Sequence, residues 1–417
     1  MTPSGADPKN VRVRRVALLV PLAVLLAPVA SASPAATKPT LARKLAKALS
    51  APGLGSTRTA AFAVDLRNGE VVYAKNSMRP LAPASVEKLP VMYGALTALG
   101  ATFRFHTEVL GEGRRNRATW RGDIVLRGYG DPTLSTASIH TLATRVRGSG
   151  IRRIQGRILG DESFYDRRRT APGWKSSYYM SECPPLSALI TDRAIFQGRE
   201  TRWPAAAAAA ELKHALSAVG VHVTGRATAA RQSGNGAGTV LATAHSAPLW
   251  KILRFMAQES DNFTAEMVVK QLGALRGQGG TTAAGSAVIR ELLGVDGVVL
   301  GGVRLADGSG LSRLDRLTTR SLVELLESAW ASPSIHKPFV GALAVAGRTG
   351  TLSDRLLGRA TRGRVVAKTG TTLVSSSLAG FVNGRYAFAI INNGSPINAW
   401  TARVAQDRFV TVLAHAG

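Results

Sequence analysis

Three short stretches decide the fold of this chain, and they occur in one order: Ser85-Val86-Glu87-Lys88, Ser260-Asp261-Asn262 and Lys368-Thr369-Gly370. Together they supply a serine, a lysine that can act as its base, a second hydroxyl and a further lysine, which are the groups an acyl-transfer site needs. Each stretch is short enough to occur by chance. The chain also contains three look-alike stretches: Ser334-Ile335-His336-Lys337, Ser233-Gly234-Asn235 and Arg348-Thr349-Gly350.

The sequence around Ser85 predicts the start of a helix. Pro83 lies just before Ser85, where proline presets helical backbone. Ser85 would then lie in the first turn, where free N–H groups favour developing negative charge. Lys88 follows three residues later, so both side chains share one helix face. Pro90 is unfavourable inside a helix, unless the helix begins close to it and Ser85 lies on a preceding tight turn.

Lys368 lies in a region that predicts antiparallel strands. The run 364–370 is rich in β-branched residues and ends in glycine, and two further strand-like runs follow at 377–382 and 385–391. Asn383-Gly384 separates these two runs, and this dipeptide is a strong signal for a hairpin turn. We therefore predict three antiparallel strands between Arg364 and Ile391, with Lys368-Thr369-Gly370 on the first.

The look-alike stretches lack such surroundings. Pro338 interrupts the sequence that follows Ser334, and Ser233 lies in a glycine-rich segment that is typical of a loop. Arg348-Thr349-Gly350 has no run of strand residues beside it and is also predicted to be a loop.

The rest of the chain predicts a catalytic domain assembled from both ends of the sequence. A strand over 59–66, a turn at Asn68-Gly69 and a strand over 71–75 would join the later strands in one antiparallel sheet. Apolar spacing predicts helices over 40–50, 205–219, 260–275, 317–330 and 398–415. We assign 40–100 and 245–417 to the catalytic domain, and 101–244 to one or two inserted domains of mixed α and β structure.

These stretches and their surroundings resemble the serine D-alanyl-D-alanine carboxypeptidases of the peptidase S13 type, which are low-molecular-mass penicillin-binding proteins. Further segments that resemble the family are Leu126 to Leu134, Ile158 to Phe164, Pro172-Gly173-Trp174, Asp307 to Arg313 and Val345 to Leu352. The resemblance implies an α+β fold of the β-lactamase and transpeptidase type, in which helices flank an antiparallel sheet. It also implies acylation by β-lactams and hydrolysis of peptidoglycan stem peptides.

The resemblance assigns Ser85 as the nucleophile and Lys88 as its base. A lysine with an ordinary pKa of ~10.4 is protonated at neutral pH, so burial and a nearby positive charge must lower that pKa. Lys368 is the expected source of the charge. Ser260 would relay the proton between Lys88 and the leaving amine, whereas Asp261 is expected to hold a neighbouring loop.

The substrate-binding residues follow from the same resemblance. Asn262 would hydrogen-bond an amide of the substrate, while Lys368 and Thr369 would bind its terminal carboxylate. Gly370 would let the substrate backbone approach the strand closely. The backbone amides of the nucleophile and of Thr371 would stabilise the oxyanion, each contributing roughly 10²–10³ in rate.

Other readings of the sequence stay open. A β-lactamase of the usual serine type uses an additional glutamate, and no E-x-x-L-N pattern occurs between Ser260 and Lys368. A non-catalytic cell-wall-binding protein would not need an intact Ser85, Lys88, Ser260 and Lys368. A general esterase on the same scaffold also stays possible, as does endopeptidase activity on peptide crosslinks.

The first 32 residues read as a signal peptide, with basic residues before an apolar stretch over 16–29 and an A-x-A site ending at Ala32. The apolar stretch is too short to span a membrane. Residues 33–39 are predicted to be a linker. The expected location is outside the cytoplasm, in the cell wall, in the periplasm or secreted.

The net charge of +27 favours an anionic partner. For an exported protein we expect wall polymers or a membrane surface rather than nucleic acid. No metal is predicted, because the histidines form no ligand pattern, and no cofactor is predicted either. The lone Cys183 cannot form an intramolecular disulfide and is expected to be buried and inert.

Overall fold

The structure is a computed structural model that describes residues 38–230 and 238–417. The helices are α1 (Lys38–Leu49), α2 (Lys88–Leu99), α3 (Thr136–Gly148), α4 (Pro204–Ala218), α5 (Leu249–Gln258), α6 (Asn262–Arg276), α7 (Thr282–Val295), α8 (Thr319–Ala331), α9 (His336–Ala342) and α10 (Ala399–Ala416). The strands are β1 (Thr59–Asp65), β2 (Glu70–Lys75), β3 (His106–Asn116), β4 (Thr119–Gly128), β5 (Arg153–Gln155), β6 (Ile158–Asp161), β7 (Ile195–Phe196), β8 (Arg199–Glu200), β9 (His222–Val223), β10 (Ala227–Ala230), β11 (Thr239–His245), β12 (Ala344–Val345), β13 (Val365–Thr371), β14 (Ser375–Val382) and β15 (Tyr386–Asn393).

A six-stranded antiparallel sheet organises the catalytic part of the molecule. Its strand order is β12-β13-β14-β15-β1-β2, so strands from both ends of the chain lie side by side, as predicted. Asn383 and Gly384 both have positive φ, at 54° and 63°. Such backbone matches the twist of a two-residue hairpin, which explains why this dipeptide joins β14 to β15.

Both faces of this sheet are buried. Helices α1 and α10 cover one face, where Leu378 and Phe388 are fully buried beside Phe409 of α10. Helices α2 and α8 lie on the other side, against residues such as Phe381 and Ile391. Each fully buried large apolar side chain contributes about 1.5–3 kcal/mol, so the sheet is a rigid base for the side chains at its edge.

A second sheet of mixed strand direction lies between Lys88 and Ser260. Its main order is β10-β6-β4-β3-β11, with β5 pairing to β4 and β9. Strands β3, β4 and β11 pair antiparallel, whereas β4, β6 and β10 pair parallel. Helices α3 and α4 cover one face through Ile139, Leu142 and Leu212. The predicted insertion of mixed α and β structure is confirmed, while the domain boundaries stay a prediction.

The start of the described chain differs from its prediction. Helix α1 begins at Lys38, so Lys38 and Pro39 belong to a helix and not to the predicted linker over 33–39. Proline is well tolerated in a first helical turn, where the missing N–H has no partner to lose. The predicted signal peptide, the rest of the linker and the look-alike Ser233 lie outside the described residues. Over 38–230 and 238–417, the helices lack the combined length and apolar character needed to cross a membrane.

Candidate active site

Ser85 lies on a short 3₁₀ helix that leads directly into α2. The 3₁₀ helix spans Ala84–Glu87, and α2 begins at Lys88. Pro90 is therefore the third residue of α2, where a backbone N–H has no partner within the helix. The sequence analysis predicted that Pro90 would be tolerated if the helix began close to it and Ser85 lay on a preceding tight turn, and the structure has this arrangement. Ala84 has a φ of 51°, which turns the chain sharply in front of the serine.

The ammonium group of Lys88 is the centre of the site. Its Nζ lies 3.0 Å from Ser85 Oγ, 2.9 Å from Asn262 Oδ1 and 2.7 Å from the backbone oxygen of Ser309. The side chain is fully buried. Burial lowers the pKa of Lys88 from 10.5 to about 8, against the opposing attraction of Asp307 and Glu266. With this pKa, about a tenth of the Lys88 side chains are neutral at pH 7, far more than for an ordinary lysine.

The start of α6 carries the second stretch, and each of its three residues has a different partner. Ser260 has a φ of 59°, which places its hydroxyl at the site in front of the helix. Asp261 caps α6 by accepting a hydrogen bond from the backbone of Thr264 and binds both terminal nitrogens of Arg193, at 2.7 and 2.9 Å. Asp261 thus holds a neighbouring loop, as expected. Asn262 faces Lys88 and donates its amide to Glu182 O at 3.2 Å.

Lys368 approaches from β13 and is fully buried beside Ser260. Its Nζ donates to Ser260 Oγ at 2.9 Å and to Thr369 O at 2.8 Å. Burial lowers the pKa of Lys368 well below its ordinary value, and repulsion from Lys88 lowers it further. The sequence predicted that burial and the charge of Lys368 would together lower the pKa of Lys88. In the structure burial is the main cause of the lowered pKa at both lysines, and the repulsion between the two ammonium groups is the smaller contribution.

The end of β13 is an open edge. Strand β12 pairs only with Val366 and Ala367, so residues 368–371 extend beyond it. Such an edge can bind an extended peptide as an additional strand. Thr369 Oγ1 lies 2.7 Å from Thr351 Oγ1, and the exposed Thr371 accepts a hydrogen bond from Arg403.

The packing of the protein around position 370 leaves room only for glycine. A Cβ at this position would lie 2.8 Å from Ser85 N and 3.0 Å from Pro83 O, and closer still to Ser377 Oγ. The sequence attributed this glycine to close approach of the substrate. The structure shows that the segment carrying Ser85 packs against β13 at this point, which fixes the nucleophile next to the strand.

We expect Gly370→Ala to reduce acylation at Ser85 at least tenfold, because the new methyl group must push Ser85 away from β13 and a displacement of about 1 Å can cost up to 10²-fold. The rate of acylation by a fluorescent penicillin measures this effect. Gly358→Ala is the matched control, since a Cβ at Gly358 would meet only Thr361 Oγ1 at 3.7 Å. Equal rates for Gly370→Ala and wild type would contradict this account.

The loop over 307–312 contributes a group that the sequence did not assign. Ser309 supplies the carbonyl that binds Lys88. Glu266 Oε1 accepts the backbone N–H groups of Gly308 and Ser309 at 3.0 and 2.9 Å, and Asp307 accepts those of Gly310 and Ser312. The family resemblance marked this segment, but no local pattern indicated that its backbone would reach Lys88.

Buried carboxyl groups lie around this loop. Burial and repulsion between neighbouring carboxylates raise the pKa of Glu87 well above its ordinary value, and they raise that of Glu266 to about 8. The pKa of Asp315 is raised for the same reasons. With a pKa of about 8, Glu266 is mostly protonated at neutral pH, which limits the negative charge beside Lys88.

Two of the look-alike stretches, those at Ser334 and Arg348, lie within the described residues. Ser334 is exposed, and its hydroxyl lies 3.1 Å from that of Ser332. Arg348 packs its guanidinium near Gly363, which precedes β13. Cys183 is buried and burial raises the pKa of its thiol well above the ordinary value, so it is poorly reactive, as expected.

The buried lysines, the two serines and the strand edge next to them are typical of penicillin-binding and β-lactamase folds. The profile of the "D-Ala-D-Ala carboxypeptidase 3 (S13) family" matches residues 41–202 and 196–416. Carboxypeptidase DacB of Mycolicibacterium smegmatis is 34% identical, with 94% of this chain and 87% of the relative covered. A D-alanyl-D-alanine carboxypeptidase of an Actinomadura species is 30% identical, with 91% and 87% covered.

A solved structure shares the fold. Penicillin-binding protein 4 (dacB) from Haemophilus influenzae superimposes with a TM-score of 0.78 at 22% identity, covering 91% of this chain and 98% of the other. The chain belongs to the D-Ala-D-Ala carboxypeptidase 3 (S13) family. It is a serine-type D-Ala-D-Ala carboxypeptidase, and the fold and enzyme class predicted from the sequence are confirmed.

Proposed function

We propose that this enzyme removes the terminal D-alanine from peptidoglycan stem peptides through an acyl-enzyme on Ser85. The observation that carries the proposal is the contact of 3.0 Å between Ser85 Oγ and the Nζ of a fully buried Lys88 with a lowered pKa. A serine hydroxyl needs an adjacent base to become a nucleophile, and neutral Lys88 is such a base.

The reaction proceeds in two stages. Neutral Lys88 takes the proton of Ser85 while Ser85 Oγ attacks the carbonyl of the scissile peptide bond. The backbone N–H groups of Ser85 and Thr371 stabilise the oxyanion. The C–N bond then breaks, and the leaving amine takes a proton from Lys88 through Ser260, so that D-alanine departs. Water hydrolyses the resulting ester and regenerates Ser85.

The open edge of β13 binds the substrate. The peptide adds to residues 368–371 as an antiparallel strand, and Asn262 binds its amide. Thr369 and Thr371 present hydroxyl groups to the terminal carboxylate, and Gly370 keeps β13 against the nucleophile. Lys368 holds the hydroxyl of Ser260 in place through the bond of 2.9 Å.

The same site is proposed to react with β-lactams, which acylate Ser85 in place of the peptide. One solved structure of Haemophilus influenzae penicillin-binding protein 4 contains a bound β-lactam and superimposes with a TM-score of 0.73.

We place the enzyme outside the cytoplasm, because its first 32 residues read as a signal peptide and its substrate is in the cell wall. The strong excess of Lys and Arg over Asp and Glu, which persists without the first 32 residues, would hold it near anionic wall polymers or membrane surfaces.

Labelling with a fluorescent penicillin, followed by mass mapping of the modified peptide, tests the proposal. We expect one adduct, on the peptide containing Ser85, and release of D-alanine from a peptide ending in D-Ala-D-Ala. A crosslinked peptide dimer assayed in parallel reports any endopeptidase activity. An adduct on the peptide containing Ser334, or no release of D-alanine, would overturn the assignment.

A further inference from the structure

The cation that reads the terminal carboxylate of the substrate is not evident from the three motifs. The sequence assigned this role to Lys368. However, the Nζ of Lys368 is fully buried and bound to Ser260 Oγ and Thr369 O. Lys88 is equally buried, beneath Ser85. A carboxylate arriving at the open edge of β13 would therefore meet neither ammonium group directly.

Arg403 of α10 lies at this edge. Its Nη2 donates to Thr371 Oγ1 at 3.3 Å, and both residues are exposed. Thr371 directly follows Gly370, the residue that packs against the segment of Ser85. Successive side chains of a strand face opposite sides, so the guanidinium lies at the end of β13 on the face covered by α10, one residue beyond the contact of Gly370 with the Ser85 segment. Arginine presents several N–H donors in a planar fork, a geometry that matches a carboxylate.

The position of Arg403 is fixed by buried contacts of the same helix. Gln406, less than one turn further on, is fully buried and donates to Ser376 Oγ and to Asn392 Oδ1, each at 3.1 Å. Asp407 pairs with Arg355 at 2.7 Å. The bonds of Gln406 hold α10 against strands β14 and β15, and the pair with Arg355 holds it against the loop after residue 352, so the backbone that carries Arg403 is fixed in place.

Other arginines near the site are placed differently. Arg348 packs against Gly363, which precedes β13. Thr371 ends that strand, and at about 3.3 Å per residue the two positions are far apart. Arg193 is bound through both terminal nitrogens to Asp261. Neither guanidinium is available at the end of β13.

We propose that Arg403, together with the hydroxyl of Thr371, selects substrates that end in a free carboxylate one residue beyond the scissile bond. Arg403 is a specificity-determining residue in this account and takes no part in proton transfer. The inference rests on the proposed function and adds the group that distinguishes an exopeptidase substrate from a blocked peptide.

A pair of peptides that differ only at the C-terminus tests the inference. Wild type should cleave the peptide ending in free D-Ala-D-Ala with a higher kcat/KM than its C-terminal amide. Arg403→Ala should lower kcat/KM for the free acid about tenfold, the size of one charge-assisted hydrogen bond. The rate for the amide should change less than twofold. Arg403→Lys should recover part of the preference, and Arg403→Glu should favour the amide.

Arg408→Ala is the matched control, because Arg408 is an exposed arginine on the same helix. It should leave both rates unchanged. A discrimination that persists in Arg403→Ala would overturn the inference, and so would equal losses for both peptides, which would indicate a structural role. Failure of wild type to cleave either peptide would instead reject the proposed function, and the inference with it.

Discussion

Ser85→Ala is expected to abolish labelling by fluorescent penicillin and to reduce the release of D-alanine by on the order of 10⁶-fold, as when a serine hydrolase loses its nucleophile. The substitution removes only the hydroxyl that lies 3.0 Å from Lys88 Nζ. Lys88 retains Asn262 Oδ1 and Ser309 O as acceptors. The free energy of unfolding should therefore change by about 1 kcal/mol or less.

Ser334→Ala is the control for this prediction, because Ser334 begins a second S-x-x-K stretch but is exposed. Fluorescent penicillin should label the Ser334→Ala variant at the wild-type rate. Thermal unfolding of both variants shows whether the fold is kept. A Ser85→Ala protein that folds normally and still forms a penicilloyl adduct would place the nucleophile elsewhere.

Local patterns were sufficient to predict the parts of the fold that are built from neighbours in sequence. The hairpin between β14 and β15 follows from Asn383-Gly384, because two consecutive residues with positive φ are needed there. Five of the six strands of the catalytic sheet followed from the strand-like runs at both ends of the chain, whereas the two-residue β12 (Ala344–Val345) was not predicted. The motif serines and lysines could be found because their spacing and surroundings carry the information.

Contacts between distant residues could not be predicted in this way. Lys88 and Ser309 O are 221 residues apart in sequence, and the contact uses a backbone carbonyl, which leaves no trace in the residue type. The packing of Gly370 against Ser85 is likewise a product of the tertiary fold. Arg403 lies on the last helix, where nothing in the sequence connects it with Thr371.

The lowered pKa values of Lys88 and Lys368 depend mainly on burial, and burial is likewise a product of the tertiary fold. The sequence could show that a second cation follows on a strand, but not that both ammonium groups would be fully removed from water. Desolvation is the main cause of both pKa shifts, so of the two causes predicted for Lys88, burial and the charge of Lys368, burial has the larger effect.

Lys88→Arg tests the consequence of that burial. A base must be neutral, and Lys88 becomes neutral as the pH rises through its pKa of about 8. For wild type, kcat/KM should fall tenfold per pH unit below about 8 and level off above it. Arginine stays protonated over this range. The rate of Lys88→Arg should therefore show no rise with pH, and the variant should react about 10²–10⁴-fold more slowly than wild type.

Lys337→Arg, in the look-alike stretch that begins at Ser334, is the control. It should change neither the acylation rate nor its dependence on pH, because Lys337 is exposed. The measurement is the rate of acylation by penicillin between pH 5 and pH 10, a range of about 3 units below and 2 above the pKa of Lys88. If the acylation rate of Lys88→Arg rose with pH as in wild type, another group would accept the proton of Ser85. In that case Lys88 would hold Ser85 and Asn262 in place as a charged residue, and the base would have to be sought beyond the S-x-x-K stretch.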